Sequence, residues 1–359
     1  MKRRLGAASV LGLLAMVACG KTTFTTPLPP GEVADDFSQV TVGVVDILWV
    51  IDDSGSMADK QQNVHDNLNS FFHYLQDAQV DYHVAVTTTD TTAGNAGQLV
   101  PVGNPTIITS ATPNALATFQ NLVEVGTMGN ALDKELDAAR LVLMVNPPGF
   151  LRPQAYLFIV WVSDQDDQSF PGDPTFFYRT FKSFKGLGND GMVNAGAITG
   201  DLPDAGNPMG GCFTPGNGEA PAGLRVGSVV QMMSGTLGSI CSASFADVLD
   251  ALGVAAVGLQ RRFKLSNTPD VSTIKVNLTY PCTTTTSTVQ PLCTGSLTST
   301  CSSPAGGYKC ALKKDPTPPT GAGWEYDVTN NEIVFDTTAI PPKGTTIEVL
   351  YYKQGDAPH

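Results

Sequence analysis

Residues 41–51 read TVGVVDILWVI, a nearly unbroken run of β-branched and apolar side chains. A strand covered on both faces has that composition, because neither side of it meets water. Val64, Leu68, Phe71, Phe72 and Leu75 then recur at helical spacing, so the pattern predicts an amphipathic helix over 57–79. Residues 80–88 (VDYHVAVTT) return to strand character, and Leu132, Leu136, Ala139 and Leu143 mark one face of a helix over 132–145. A second doubly buried strand is predicted at 155–162 (AYLFIVWV), another strand at 192–198, and helices at 224–233 and 245–259. Strands alternating with helices predict a doubly wound α/β unit, a mostly parallel sheet with helices on both faces. Its surplus length falls in glycine-rich loops at 91–105 and 201–222.

Past Arg262 the texture changes. Residues 272–279 place Ile274, Val276 and Leu278 on one face, Asn330-Asn331 separates two short apolar stretches as a hairpin turn would, and 346–352 forms a last strand. Helical periodicity is absent and prolines are frequent. The pattern predicts a small all-β sandwich over 263–359, after an α/β domain over 41–262. FKLSNTPDVSTIKV, GWEYD and IPPKGTTIEVLYY in this part loosely resemble small immunoglobulin-like modules of bacterial surface proteins.

The N-terminus carries a different signal. Lys2, Arg3 and Arg4 precede an apolar stretch over 5–17, shorter than the ~20 residues a bilayer span needs. It has the form of a secretory leader. Met16, Val17 and Ala18 before Cys19 resemble a bacterial lipobox, which implies removal of 1–18 and acylation of Cys19. Gly20 and Lys21 follow, with no Asp after the cysteine, a pattern that in such lipoproteins implies export to the outer membrane. Residues 19–40, rich in Thr, Pro and Gly, read as a tether, so membrane contact is expected through the lipid alone. Loss of Lys2, Arg3 and Arg4 takes the formal net charge from -12 to -15. So acidic a chain repels phosphates, which argues against nucleic-acid binding.

Six further cysteines fit export: Cys212, Cys241, Cys282, Cys293, Cys301 and Cys310. None shows the close pairing of a zinc knuckle, and His65, His73, His83 and His359 are scattered. Disulfides are therefore expected, Cys212 with Cys241 and two bridges among the last four, whose pairing the spacing leaves open.

The chemistry concentrates where the first buried strand ends, in WVIDDSGSM. Asp52, Ser54 and Ser56 form an Asp-x-Ser-x-Ser pattern between a buried strand and an amphipathic helix. In open α/β sheets ligands bind beyond the strands' carboxyl ends. Here the chain resembles the von Willebrand factor A family, over roughly residues 40–262. The resemblance implies a metal ion-dependent adhesion site, completed by a threonine and a second aspartate. Thr127, in VGTMGNALDKEL, matches the threonine, with Thr87, Thr88 and Thr89 as alternatives; Asp164, in IVWVSDQDD, matches the aspartate. Where the family commonly has Thr-Asp-Gly, this chain has Ser163-Asp164-Gln165. All the candidates are oxygen donors, which suits Mg²⁺ or Mn²⁺. Asp53, Asp166 and Asp167 add carboxylates that would hold a second cation, favour Ca²⁺, or stand solvated.

The resemblance implies that the cation captures a carboxylate of a protein partner. The leading expectation is thus an exported, lipid-anchored adhesion protein; the alternative is a structural or assembly scaffold of the cell envelope. No Gly-x-Ser-x-Gly, His-Glu-x-x-His or Gly-x-x-x-x-Gly-Lys motif occurs, so an enzyme is not expected. His65, His73 and His83 read as ordinary helix or strand residues, and Trp49, Trp161 and Trp324 as packing.

Overall fold

The computed structural model describes residues 29–101, 106–130, 132–216, 218–284, 289–302, 306–314, 323–336 and 339–356. The leader at 1–18, Cys19 and the first part of the expected tether lie outside the described residues. In chain order come β1 (Glu32–Ser38), β2 (Val44–Ile51), α1 (Ala58–Asn67), α2 (Asn69–Asp77), β3 (Asp81–Thr88) and β4 (Ile108–Thr109). Next are α3 (Ala115–Val123), α4 (Glu135–Val145), β5 (Tyr156–Val162), α5 (Pro174–Ser183) and β6 (Val193–Thr199). A short hairpin, β7 (Cys212–Thr214) and β8 (Gly218–Ala220), precedes α6 (Leu224–Met232), β9 (Thr236–Ser239) and α7 (Ala246–Ala256). The rest is strand: β10 (Arg262–Lys264), β11 (Lys275–Tyr280), β12 (Thr298–Ser299), β13 (Tyr308–Ala311), β14 (Trp324–Asp327), β15 (Glu332–Phe335) and β16 (Thr346–Tyr352).

The central sheet has six strands in the order β4-β3-β2-β5-β6-β9, parallel except for β4 at its edge. Side chains of β2 alternate between its faces. Val45, Ile47, Trp49 and Ile51 pack with α1, α2, α3 and α7, while Leu48 and Val50 meet α4, α5 and α6. Trp49 lies edge-on to Phe71 and Phe119, with ring centroids 5.2 and 5.5 Å away. The fold is the α/β architecture the pattern predicts. From β2 the chain passes to β3 on one side and later to β5 on the other. That reversal opens a crevice at the carboxyl ends of β2 and β5.

The predicted helix over 57–79 is divided at Leu68. Asn67 donates from its side chain to the Asn63 carbonyl at 2.9 Å, competing with the helical ladder there. Helix α4 starts at Glu135, not at 132, and Leu132 is half exposed rather than part of the buried face. Its first turn is capped from elsewhere. Asp167 accepts from the Leu136 N–H at 3.0 Å and Ser169 from the Asp137 N–H at 2.8 Å, so residues 132–134 stay in the loop.

A five-stranded sheet β1-β16-β11-β13-β12 faces a three-stranded sheet β10-β15-β14 across one core. Phe263, Trp324 and Phe335 from one sheet meet Val276, Tyr280, Ile347 and Tyr351 from the other. The Asn330-Asn331 turn joins β14 to β15, with Asn331 at φ 58°. The tether expectation for 19–40 needs correction at its far end, since 32–38 is the strand β1, paired antiparallel along β16. Val33 and Phe37 turn toward the sandwich core, and Asp35 accepts from the Tyr351 hydroxyl at 2.8 Å. Gln39 is buried where the two halves meet. Its side chain donates to the Gln260 carbonyl at 2.9 Å and accepts from the Gln260 N–H at 3.1 Å.

Disulfides join Cys212 to Cys241, Cys282 to Cys301 and Cys293 to Cys310. Such bridges are typical of exported proteins. Among the described residues no helix is long and apolar enough to cross a membrane.

Candidate metal centre

The last residues of β2 carry the chain to the crevice, where the Asp52 N–H extends the pairing to β5 by donating to the Val162 carbonyl at 2.9 Å. The Asp52 side chain is fully buried. Its Oδ1 accepts from the Ser54 N–H at 2.7 Å and its Oδ2 from the Ser163 hydroxyl at 2.8 Å. Ser163 and Asp164 directly follow β5, so two parallel neighbours deliver two aspartates to one place. Ser56 Oγ donates to Asp164 Oδ1 at 3.0 Å and lies 3.4 Å from Ser54 Oγ. Asp52, Ser54, Ser56 and Asp164 are thus linked in one group. Ser56 is exposed and gives that group an open side.

Thr127 is placed differently. It is half-buried on the loop between α3 and α4, and among the described residues its hydroxyl has no hydrogen bond to this group. The loop itself is held against the site. Gly129 N–H donates to the Asp53 carbonyl at 2.9 Å, and Gln61 bridges Gly126 and the Asp52 carbonyl. A side chain at Gly129 would collide with the Asp53 carboxylate. The buried threonine here is Thr89, which follows β3 and donates to Asp133 Oδ1 at 3.0 Å, with Asp53 Oδ1 3.4 Å away.

The extra carboxylates divide into two sets. Asp167 is buried, caps α4, accepts from the Ser169 hydroxyl at 2.6 Å and pairs with Arg225 at 3.0 Å. Asp166 accepts from the Arg225 N–H at 2.9 Å. Both serve the fold, Asp167 from a buried position and Asp166 from a half-buried one. Asp53 and Asp133, by contrast, crowd the main group. Burial pushes the Asp53 carboxyl up, aided by the charges of Asp90 and Asp52. Burial and then Asp52 raise Asp164, while Lys60 pulls it down. Burial, then the Asp52 charge, pushes Asp133 up to about 7.

Three carboxylates, Asp52, Asp133 and Asp164, are at most 4% exposed. Among the described residues none of them, nor Asp53, forms a salt bridge to a lysine or arginine. Buried carboxylates without a salt bridge fit a site that receives a positive ion. The donors are all oxygens, as Mg²⁺ or Mn²⁺ requires. Among the described residues no three His, Cys, Asp or Glu side chains converge closely enough to hold an ion alone. Hydroxyls must contribute, and Ser54 and Ser56 stand where they can. On the rim, Lys60 lies against Gly218 of the β7–β8 hairpin, which the Cys212–Cys241 bridge ties down.

No family model matches this chain, and no curated protein matches it. Among solved structures it is similar to proximal thread matrix protein 1 from the mussel byssus, at 11% identity and a TM-score of 0.38 over 64% of this chain. The match spans about half (51%) of that protein's length. The VWA domain of SpRpn10 matches at 13% identity and a TM-score of 0.34, over 59% of this chain and 93% of that one. The pilus adhesin SpaC from Lactobacillus rhamnosus GG matches at 10% identity and a TM-score of 0.40, over 90% of this chain and 41% of that one.

Proposed function

We propose that this chain is an exported, lipid-anchored binding protein of the bacterial outer membrane. Asp52, Ser54, Ser56 and Asp164 hold one divalent cation, Mg²⁺ or Mn²⁺ with Ca²⁺ as the alternative, and Thr127 contributes from the facing loop. When bound, the cation supplies an electrophilic position that a carboxylate of a protein partner completes. The chain's own residues prepare that position. Ser163 and the Ser54 N–H orient Asp52, Ser56 orients Asp164, and the exposed side at Ser56 admits the partner. The observation that carries the reading is the Ser56–Asp164 hydrogen bond, 108 positions apart in sequence, beside a buried Asp52 without a salt bridge. The role is binding, not catalysis.

Calorimetry with Mg²⁺ on the purified protein tests the site. One binding event is expected, lost in Asp52→Ala. Pull-down from envelope extracts with and without EDTA tests the function, with capture expected only when the cation is present. The absence of a hydrogen bond from Thr127 to the group favours a second reading, an envelope scaffold that packs without a cation. Capture that persists in EDTA and in both Asp52→Ala and Asp164→Ala establishes that reading instead.

A further inference from the structure

We infer that the cavity between α2, α7 and the sandwich is a second binding site, one that takes a small zwitterion with an apolar body, a short peptide with both ends free. It lies away from the candidate metal centre. Asp77 and Gln79 on its wall lead into the amino end of β3, whereas that centre stands past the carboxyl ends of the sheet. The cavity measures about 740 Å³, within the ~300–1,000 Å³ of small-molecule sites.

One wall comes from two helices in close contact. A Cβ at Gly253 of α7 would stand 2.7 Å from the Phe71 carbonyl oxygen of α2, so only glycine admits this approach. It brings the Tyr74 hydroxyl to Asp250 Oδ1, to which it donates at 2.9 Å. Asp250 Oδ2 is buried and has no hydrogen-bond partner among the described residues. The facing wall belongs to the sandwich. Tyr280, which ends β11, is 1% exposed, and its hydroxyl likewise has no partner among the described residues. Each wall thus carries a buried polar atom left unsatisfied, which is unfavourable unless a guest supplies the missing bond. Both side chains line the cavity, so a guest can meet them after small side-chain adjustments.

The charges select the guest. Asp77 and Asp250 mark the helical wall, and neither forms a salt bridge among the described residues. Arg261, whose charge reaches Asp250, donates to the Phe335 carbonyl at 2.9 Å instead. Lys343 marks the sandwich wall, exposed and also without a salt bridge among the described residues. Its loop is held by the Gly344 N–H, which donates to the Gln39 carbonyl at 2.8 Å. Leu259, Leu292 and Ile340 supply apolar lining. A protonated amine answers the two carboxylates, a carboxylate answers Lys343, and aliphatic side chains answer the rest. An anion alone would meet Asp77 and Asp250 unfavourably, and a cation alone would leave Lys343 unanswered.

Calorimetry and thermal unfolding with leucyl-leucine test this on the purified protein, in EDTA so that the candidate metal centre takes no part. One binding event and a raised Tm are expected. Acetylating the dipeptide's amine should weaken binding about tenfold or more, and amidating its carboxylate several-fold. Asp250→Asn should weaken leucyl-leucine to the level of its acetylated form. Lys343→Ala changes an exposed side chain, so it serves if Asp250→Asn does not fold, and should erase the difference between the free and amidated forms. Tyr280→Phe should lower affinity without lowering the Tm of the free protein, since the hydroxyl bonds to no described residue. No heat and no change in Tm at millimolar dipeptide, or equal affinity for all three forms, overturns the inference and leaves the cavity to solvent.

Discussion

Ser163 donates to Asp52 Oδ2 at 2.8 Å, so the strand that delivers the second aspartate also locks the first. Asp52 Oδ1 is meanwhile committed to the Ser54 N–H. Replacing Ser163 by Ala removes that lock and leaves a buried carboxylate oxygen without a donor. A loss of roughly 1–3 kcal/mol in urea unfolding is expected. Mg²⁺ affinity measured by calorimetry should fall about tenfold or more, as for other outer partners of a metal ligand. Unchanged affinity would detach Ser163 from the site.

Gly129 approaches Asp53 so closely that a methyl group has no room. Gly129→Ala is expected to push the loop between α3 and α4 outward, costing on the order of 1–3 kcal/mol by overpacking. Urea unfolding reads the cost, and calorimetry should show weakened cation binding. A variant as stable as the original would mean that Asp53 swings aside freely.

At the opposite end of β2, Asp46 is fully buried and accepts from the Arg152 N–H at 2.6 Å and from Arg152 Nε at 2.8 Å, with Lys185 Nζ at 3.5 Å. Arg152→Ala removes the main partner of a buried charge, so a loss of roughly 3–5 kcal/mol is expected in chemical denaturation. Metal affinity should not change, because Asp46 sits at the amino end of the strand and the site lies past its carboxyl end. A parallel loss of both would contradict that separation.

Cysteine chemistry gives a further check. Peptide mapping without reduction should recover the pairs 212–241, 282–301 and 293–310. Opening Cys212–Cys241 by a double Ser substitution is expected to cost about 2–4 kcal/mol. Cys19→Ser should move the protein from the membrane fraction to the soluble fraction. Persistence in the membrane fraction would require another anchor.

Much of the α/β half is legible in the sequence because its strands are buried on both faces. A run such as ILWVI admits few other placements, and Asp52, Ser54 and Ser56 follow from where it stops. Helix α5 also left a signal in Asp173-Pro174 with Phe177 and Phe181 one turn apart, and α3 in Phe119, Leu122 and Val123. Neither lies in a long enough periodic stretch to stand out. Strand β1 is hidden because Asp35 and Asp36 interrupt its apolar positions amid Thr, Pro and Gly. Thr89 stands among the alternatives to Thr127 that the sequence offers, whereas Asp133 is illegible for a different reason. Helical spacing carries Leu132 into α4, and only the caps arriving from the β5 loop stop the helix short and turn Asp133 inward.

Strand β1 lies in the same sheet as β16, and Gln39 meets Gln260 where the chain enters and leaves the α/β body. In topological terms the sandwich is a host and the α/β body a guest threaded into it between β1 and β10. Two consequences follow. A cut at residue 262 would not separate two folding units, because it strips β16 of its edge neighbour and leaves β1 dangling on the wrong fragment. A cut-and-rejoin that excises 40–260 and links Gln39 to Arg261 has only the reach of the Gln39 side chain to the Gln260 backbone to bridge, and should return the host alone.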